Sequence, residues 1–280
     1  MKMSFSLDFS RHLYSGVSHS CCGRVKREDC LKMKLEGKTA IVTGAGAGIG
    51  ESTAILFAQN GANVVCTDIA DSGLRVASTI QSMGQEAIFV KGDVSEVDST
   101  EQIVSEAITK YDQLDILVNN AGIVIPGRVD NTNPEDWDRT MAVNVRGVYL
   151  LSRLAIPHLR KTEGVIINVA SAVALMGAKD RAAYTASKGA LVSLTRAMAV
   201  DYMEDKIRVN CICPGTTETP SLKDRLAKLP DPEAARKQFI ERQPLRRFGR
   251  PEEIAEGILY LSTAEFCTGT CLSVDGGMAI

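Results

Sequence analysis

From residue 35 onward, short blocks of almost wholly apolar residues alternate with longer stretches in which apolar positions recur every three or four residues. The short blocks predict strands at 39–43, 63–68, 87–91, 116–119, 164–170, 208–213 and 271–274. The longer stretches predict helices at 49–60, 72–83, 97–111, 134–144, 146–160, 182–202 and 251–263, with Gly61 and Gly84 as helix stops. Strands that are apolar throughout have both faces covered, and strict alternation with helices implies a parallel sheet. The expected fold class is therefore α/β, a doubly wound parallel sheet in a single domain over 33–280. Ligands of such sheets bind beyond the carboxyl ends of the strands.

Two stretches break the alternation. Residues 216–250 fall between the last two strands, carry many charges and contain Pro230 and Pro232, so a mobile helical lid is expected there. Residues 1–32 are rich in Ser, Arg and Lys and lack sustained periodicity. A disordered or processed N-terminal extension is expected: Asp8, Glu28 and Asp29 count against a mitochondrial address, and no apolar core suits a secretory signal.

Composition narrows the function by exclusion. The chain has 280 residues, 45% of them hydrophobic, as in an ordinary globular protein. A net charge of −2 gives no global basic field for nucleic acid. No apolar run reaches the ~18 residues that span a bilayer, so no membrane partner is expected. Eight cysteines are too sparse for a disulfide scaffold, and none forms Cys-x-x-Cys. With only three histidines, no metal site is expected. Cys66, Cys211 and Cys213 lie in apolar runs and read as reduced core thiols, which fits a reducing, cytoplasmic location.

The candidate chemistry lies at three places. Thr43-Gly44-Ala45-Gly46-Ala47-Gly48-Ile49-Gly50 joins the first strand to the first helix. Its glycines let backbone approach a pyrophosphate, and the helix N-terminus offers N–H groups and a positive dipole end. Asp68 ends the second strand, where a carboxylate can bond both ribose hydroxyls and repel a 2′-phosphate. No Arg or Lys occupies the glycine loop or positions 69 and 70, so NAD is expected over NADP. Tyr184 and Lys188 lie one turn apart on one helix face. A tyrosine titrates near pH ~10, and an adjacent ammonium favours its phenolate, tuning it for proton transfer at a substrate oxygen.

Together with Asn119-Asn120-Ala121-Gly122, Asn144, Ser171, Pro214-Gly215 and Asp275-Gly276-Gly277, these motifs resemble the short-chain dehydrogenase/reductase family over about residues 34–280. The resemblance implies a Rossmann fold and NAD-linked transfer of a hydride at a CH–OH group. It implies Tyr184 as general acid/base, Lys188 lowering its pKa and holding the nicotinamide ribose, and Ser171 bonding the substrate oxygen. It implies that Asn144 holds a water linking Lys188 to solvent. For the cofactor it implies Gly44, Gly48, Ile49 and Gly50 at the pyrophosphate. Asp93 and Val94 would contact the adenine, Asn119, Ala121 and Gly122 the cleft floor, and Pro214, Gly215 and Thr219 the nicotinamide end. A homo-oligomer, dimer or tetramer, is implied as well.

Arg181, Arg225 and Arg242 are not general to the family. With the Pro-Gly-Thr-x-x-Thr-Pro-Ser-Leu and Asp-Pro-Glu-Ala-Ala-Arg runs, they resemble members acting on small hydroxy or keto acids. Cytosolic-type 3-hydroxybutyrate dehydrogenases and 2-keto-3-deoxy-fuconate dehydrogenases are such members. Guanidinium forks bind carboxylates bidentately, so a small carboxylate substrate is expected. The alternatives are a 3-oxoacyl-[acyl-carrier-protein] reductase, a sugar-acid dehydrogenase, and a regulatory protein that senses NAD without catalysis.

Overall fold

The apolar blocks become seven strands in the computed structural model, which describes residues 33–280; the extension expected over 1–32 lies outside the described residues. The strands are β1 (Thr39–Thr43), β2 (Asn63–Asp68), β3 (Ala87–Lys91), β4 (Ile116–Asn119), β5 (Val165–Val169), β6 (Arg208–Pro214) and β7 (Cys271–Val274). All pair in parallel, in the order β3-β2-β1-β4-β5-β6-β7. The chain winds outward from β1 to β3, then crosses back to β4. The crevice at this reversal opens beyond the carboxyl ends of β1 and β4, where such sheets bind ligands.

Alternate side chains of each strand enter opposite layers, as the period of two requires. Ala40, Val42, Val64, Cys66, Ile116 and Val118 pack under helices α1 (Gly48–Gln59), α2 (Ser72–Ser82) and α9 (Pro251–Thr263). Ile41, Val65, Leu117 and Ile166 pack under α3 (Val97–Tyr111), α5 (Gly147–Thr162) and α6 (Ala182–Asp201). The two layers bury both sheet faces, which is why the strands read as unbroken apolar runs. Residues 33–280 form one compact unit. None of the described helices is long and apolar enough to cross a membrane.

One expected boundary is corrected. The two helices expected at 134–144 and 146–160 are continuous: α4 (Pro134–Met141) runs through a π-helical turn, Ala142–Arg146, into α5. The turn is centred on Asn144, which is fully buried. Its Oδ1 accepts from Ile123 N (2.8 Å) and its Nδ2 donates to Ile123 O (3.0 Å), so the widened turn is pinned to the loop after β4.

The insertion between β6 and β7 is helical, as expected. Pro220 and Pro232 each open a helix, α7 (Pro220–Ala227) and α8 (Pro232–Glu241), at the position where a missing N–H costs nothing. The pair has a small core of its own, Leu222, Leu226 and Phe248, with Ala235, Phe239 and Ile240 against it. Its two ends are tied by Glu218 N donating to Gly249 O (2.9 Å) and Gly249 N donating to Thr216 O (3.0 Å).

Candidate active site

A cleft of about 530 Å³ lies over the carboxyl ends of the strands. One end is bounded by the glycine loop, Asp68, Asp93 and Val94; the other by Ser171, Tyr184, Lys188 and the arginines.

At the first end the backbone of the loop approaches its neighbours closely. Gly48 has φ +57°, a conformation that an L side chain rarely adopts. A Cβ on Gly50 would lie 2.1 Å from Gly44 O, so only glycine lets the helix start against the loop. The N-cap of α1, Ala47, supplies no side-chain cap, so the first N–H groups of the helix are available to an anion. Asp68 anchors this loop: Oδ2 accepts from Gly46 N (2.9 Å) and Oδ1 from Ala70 N (2.9 Å). The guanidinium of Arg75 on α2 reaches the same region but is paired with Glu51 (2.7 Å) and donates to Gly46 O (3.2 Å). Asp93 Oδ1 accepts from Ser95 N (2.8 Å) and Ser95 Oγ (2.7 Å), which fixes the turn after β3 and leaves Val94 facing the cleft. These features fit an adenosine diphosphate moiety: uncapped helix N–H groups for its phosphates and a fixed carboxylate at the ribose position.

At the second end Lys188 is buried, and its Nζ donates to Val169 O at 2.7 Å. Burial pulls its pKa down to about 8. Tyr184 precedes it by one turn, with Lys188 Nζ 5.8 Å from the ring centroid. Burial pushes the Tyr184 phenol above its ordinary range. The Ser171 hydroxyl and the guanidiniums of Arg225 and Arg181 oppose that shift. Desolvation outweighs these charge effects, and the cations acting on the phenol are Arg225 and Arg181.

Asn144 is bonded through both side-chain polar atoms. Besides gripping Ile123, its Nδ2 donates to Ser187 Oγ (3.0 Å), and Ser187 Oγ donates to Tyr184 O (2.8 Å). Sequence reasoning passed over Ser187, although it lies between the two marked residues of the Tyr-x-x-x-Lys motif.

Two other expected positions are displaced. Asn119 lies beneath the cleft floor, donating to Asn168 Oδ1 (2.9 Å) and Ser152 Oγ (3.3 Å), and Asn120 lines the cleft in its place. Asn120 Nδ2 donates to Thr43 O (2.8 Å), while Asn120 N and Ala121 N donate to Thr43 Oγ1 (2.9 Å each). Thr43 and Asn120 so join the glycine loop to the loop after β4, leaving Ala121 and Gly122 on the cleft wall. Gly50, likewise, shapes the turn rather than lining the cleft. Pro214, Gly215 and Thr219 do line it, and Thr219 Oγ1 caps α7 by accepting from Leu222 N (3.2 Å).

Arg181, Arg225 and Arg242, separated in sequence, meet at this end of the cleft. Arg181 and Arg225 are half-buried, and Arg242 stands at the rim with its guanidinium over the Phe239 ring (4.2 Å). Burial first, and then Arg225 and Arg242, hold the Arg181 pKa below its usual value; burial does the same for Arg225. Among the described residues, none of the three has a carboxylate within salt-bridge distance. Mutually repelling, partly desolvated cations of this kind attract an anion.

Comparisons with known proteins agree with this layout. Residues 44–279 match the family described as Enoyl-(Acyl carrier protein) reductase. The chain is 46% identical over 249 residues to an uncharacterized oxidoreductase of Thermotoga maritima, covering 88% of this chain and 98% of that one. It is 40% identical over 248 residues to Dehydrogenase/reductase SDR family member 6 of Danio rerio, covering 87% and 98%. Among solved structures, the 3-ketoacyl-(acyl-carrier-protein) reductase from Brucella melitensis complexed with NADH superposes with a TM-score of 0.80 at 40% identity, covering 88% of this chain and all of that one.

Proposed function

The chain belongs to the short-chain dehydrogenase/reductase family, oxidoreductases acting on CH–OH groups, and on that premise we propose that it interconverts a small hydroxy acid and its keto acid with NAD, in the manner of a 3-hydroxybutyrate dehydrogenase. The observation that carries this substrate class is the meeting of Arg181, Arg225 and Arg242, without carboxylate partners among the described residues, beside Ser171 and Tyr184.

The residues divide the work as follows. The arginines grip the substrate carboxylate and so fix the carbinol carbon relative to Tyr184. Tyr184 takes the hydroxyl proton during oxidation and returns it during reduction. Ser171 hydrogen-bonds the same oxygen and steadies its developing charge. Lys188, charged below about pH 8, would hold the ribose beside the nicotinamide. Asn144 and Ser187 set the distance between the post-β4 loop and the Tyr184 turn. A dinucleotide held there would supply or accept the hydride. Gly44, Gly48 and Ile49 would hold its phosphates, Asp68 its ribose hydroxyls, and Asp93 and Val94 its adenine. Ala121, Gly122, Pro214, Gly215 and Thr219 would line the place of its nicotinamide half. NAD is favoured over NADP because Asp68 repels a 2′-phosphate and Arg75, already paired, offers it little compensation. Exposed Trp137 and Tyr149 on the α4–α5 face support a homo-oligomer as part of the same proposal.

A second substrate class, a 3-oxoacyl thioester, is favoured by the likeness to the Brucella reductase. The test is a panel of hydroxy acids, sugar acids, neutral sugars and a 3-oxoacyl thioester, assayed with NAD and with NADP. Highest kcat/KM for a small hydroxy acid with NAD is expected; preference for the thioester or for NADP would overturn the proposal.

A further inference from the structure

The last two strands carry a pair of thiols that catalysis does not use. Cys211 on β6 and Cys271 on β7 are register partners across the parallel ladder. The Cys211 thiol donates toward the Cys271 sulfur at 3.1 Å. Facing residues of neighbouring strands lie about 4.8 Å apart, inside the range of about 4.4–6.8 Å between Cα atoms that a disulfide spans. Both side chains enter the same layer, against Val148, Leu191 and Val192. Cys211 is fully buried, whereas Cys271 is half-buried on the edge strand.

The other thiols nearby are placed less well. Cys213 shares the layer but is two residues along β6 from Cys211, about 6.6 Å in an extended strand, at the limit of disulfide reach. Cys267 is engaged with the Tyr260 hydroxyl, 3.9 Å away.

We infer that Cys211 and Cys271 form a redox-active dithiol, which a low-molecular-weight disulfide such as oxidised glutathione converts into a cross-link between β6 and β7. The Cys271 thiolate attacks one sulfur of the oxidised glutathione, breaking its S–S bond and releasing one glutathione thiolate, which takes up a proton. The Cys211 sulfur then loses its proton to solvent and attacks Cys271 Sγ in the mixed disulfide, expelling the second glutathione. Two S–H bonds are lost from the protein and one S–S bond is gained; two electrons pass to the two glutathiones. The hydrogen bond with the Cys213 thiol, then burial, then the Cys271 thiol raise the Cys211 pKa, so the second step is the slower one. Because the strands are already in register, closure asks for a change in side-chain torsions rather than a shift of β6, which leads into Pro214 and Gly215 at the cleft.

The full chain is incubated with oxidised glutathione, free thiols are alkylated, and peptides are mapped by mass spectrometry without reduction. The expected result is a transient glutathione adduct on Cys271 followed by a peptide pair joining the Cys211 segment to the Cys271 segment, reversed by dithiothreitol. The pair should vanish in Cys271→Ser and persist in Cys213→Ala, a variant that also separates Cys211 from its neighbour on the same peptide. Mapping keeps Cys21, Cys22 and Cys30 apart from the assignment. A Cys271 that is alkylated throughout, that stops at the glutathione adduct, or that pairs with any cysteine other than Cys211 would overturn the inference.

Discussion

At the residue scale, Lys188 and Tyr184 were legible as a pair but not in their electrostatics. Their spacing on one helix face follows from sequence alone. That Lys188 would be buried against Val169 O, and Tyr184 desolvated beside Arg225 as well as its near neighbour Arg181, depends on groups distant in sequence. A proton-transfer role for Tyr184 predicts that Tyr184→Phe lowers kcat by roughly 10²–10⁴ while NADH binding, read by fluorescence titration, is nearly unchanged. Wild-type turnover in this variant would remove Tyr184 from the mechanism. Lys188 has a pH signature of its own. Its pKa is about 8 in the native state against 10.5 ordinarily, so across that interval the unfolded chain binds a proton that the native one does not. Native stability of the ligand-free protein should therefore rise with pH between these values. Urea midpoints compared for wild type and Lys188→Met should show that rise only in the wild type; parallel curves would mean an ordinary lysine.

At the scale of elements, strands and helices followed from periodicity, while closures between elements did not. The glycine loop was identifiable as a phosphate cradle from its place between β1 and α1. Its attachment to Asn120 through Thr43, and the choice of Asn120 over Asn119 as cleft residue, were hidden, because adjacent residues at a strand end point to opposite sides of the sheet. The π-helical turn was hidden for a similar reason. A single buried amide that bonds another loop leaves no periodic trace, so a continuous helix reads as two. For the loop, Gly50→Ala should destabilise the protein by about 1–3 kcal/mol, the usual cost of overpacking, since the added methyl meets backbone at Gly44. Urea unfolding measures it, and an unchanged midpoint would show that the loop can yield. Asp68 acts on the same loop from β2. Asp68→Ala should raise KM for NAD by about ten- to a hundredfold, on a scale of about 1.5–3 kcal/mol for a charged hydrogen bond, and improve the relative use of NADP. Unchanged cofactor preference would separate the carboxylate from ribose recognition.

At the scale of the whole molecule, the doubly wound sheet brings together one end suited to a dinucleotide and one that gathers three arginines, and the insertion between β6 and β7 completes the second. Arg181 stands at the start of α6, Arg225 on α7 and Arg242 just after α8. Only the fold brings them to one cleft, so their joint purpose could be suspected from family likeness but not read from spacing. Two of them ride on an element with its own small core, tied at Thr216–Glu218 and Gly249, an arrangement that would let it move as a unit. A substrate carboxylate would then draw α7 and α8 toward Arg181 and complete the site as it binds.

The most direct test of this account compares a hydroxy acid with its neutral ester or amide, each on wild type and on Arg242→Ala. A charge-assisted hydrogen bond is worth about 1.5–3 kcal/mol, so the substitution should raise KM for the acid by about one to two decades. The neutral analogue should be a poor substrate of the wild type and nearly indifferent to the substitution. Equal losses for acid and neutral analogue would contradict the account, leaving Arg242 a structural residue of the insertion and the arginine cluster without its carboxylate.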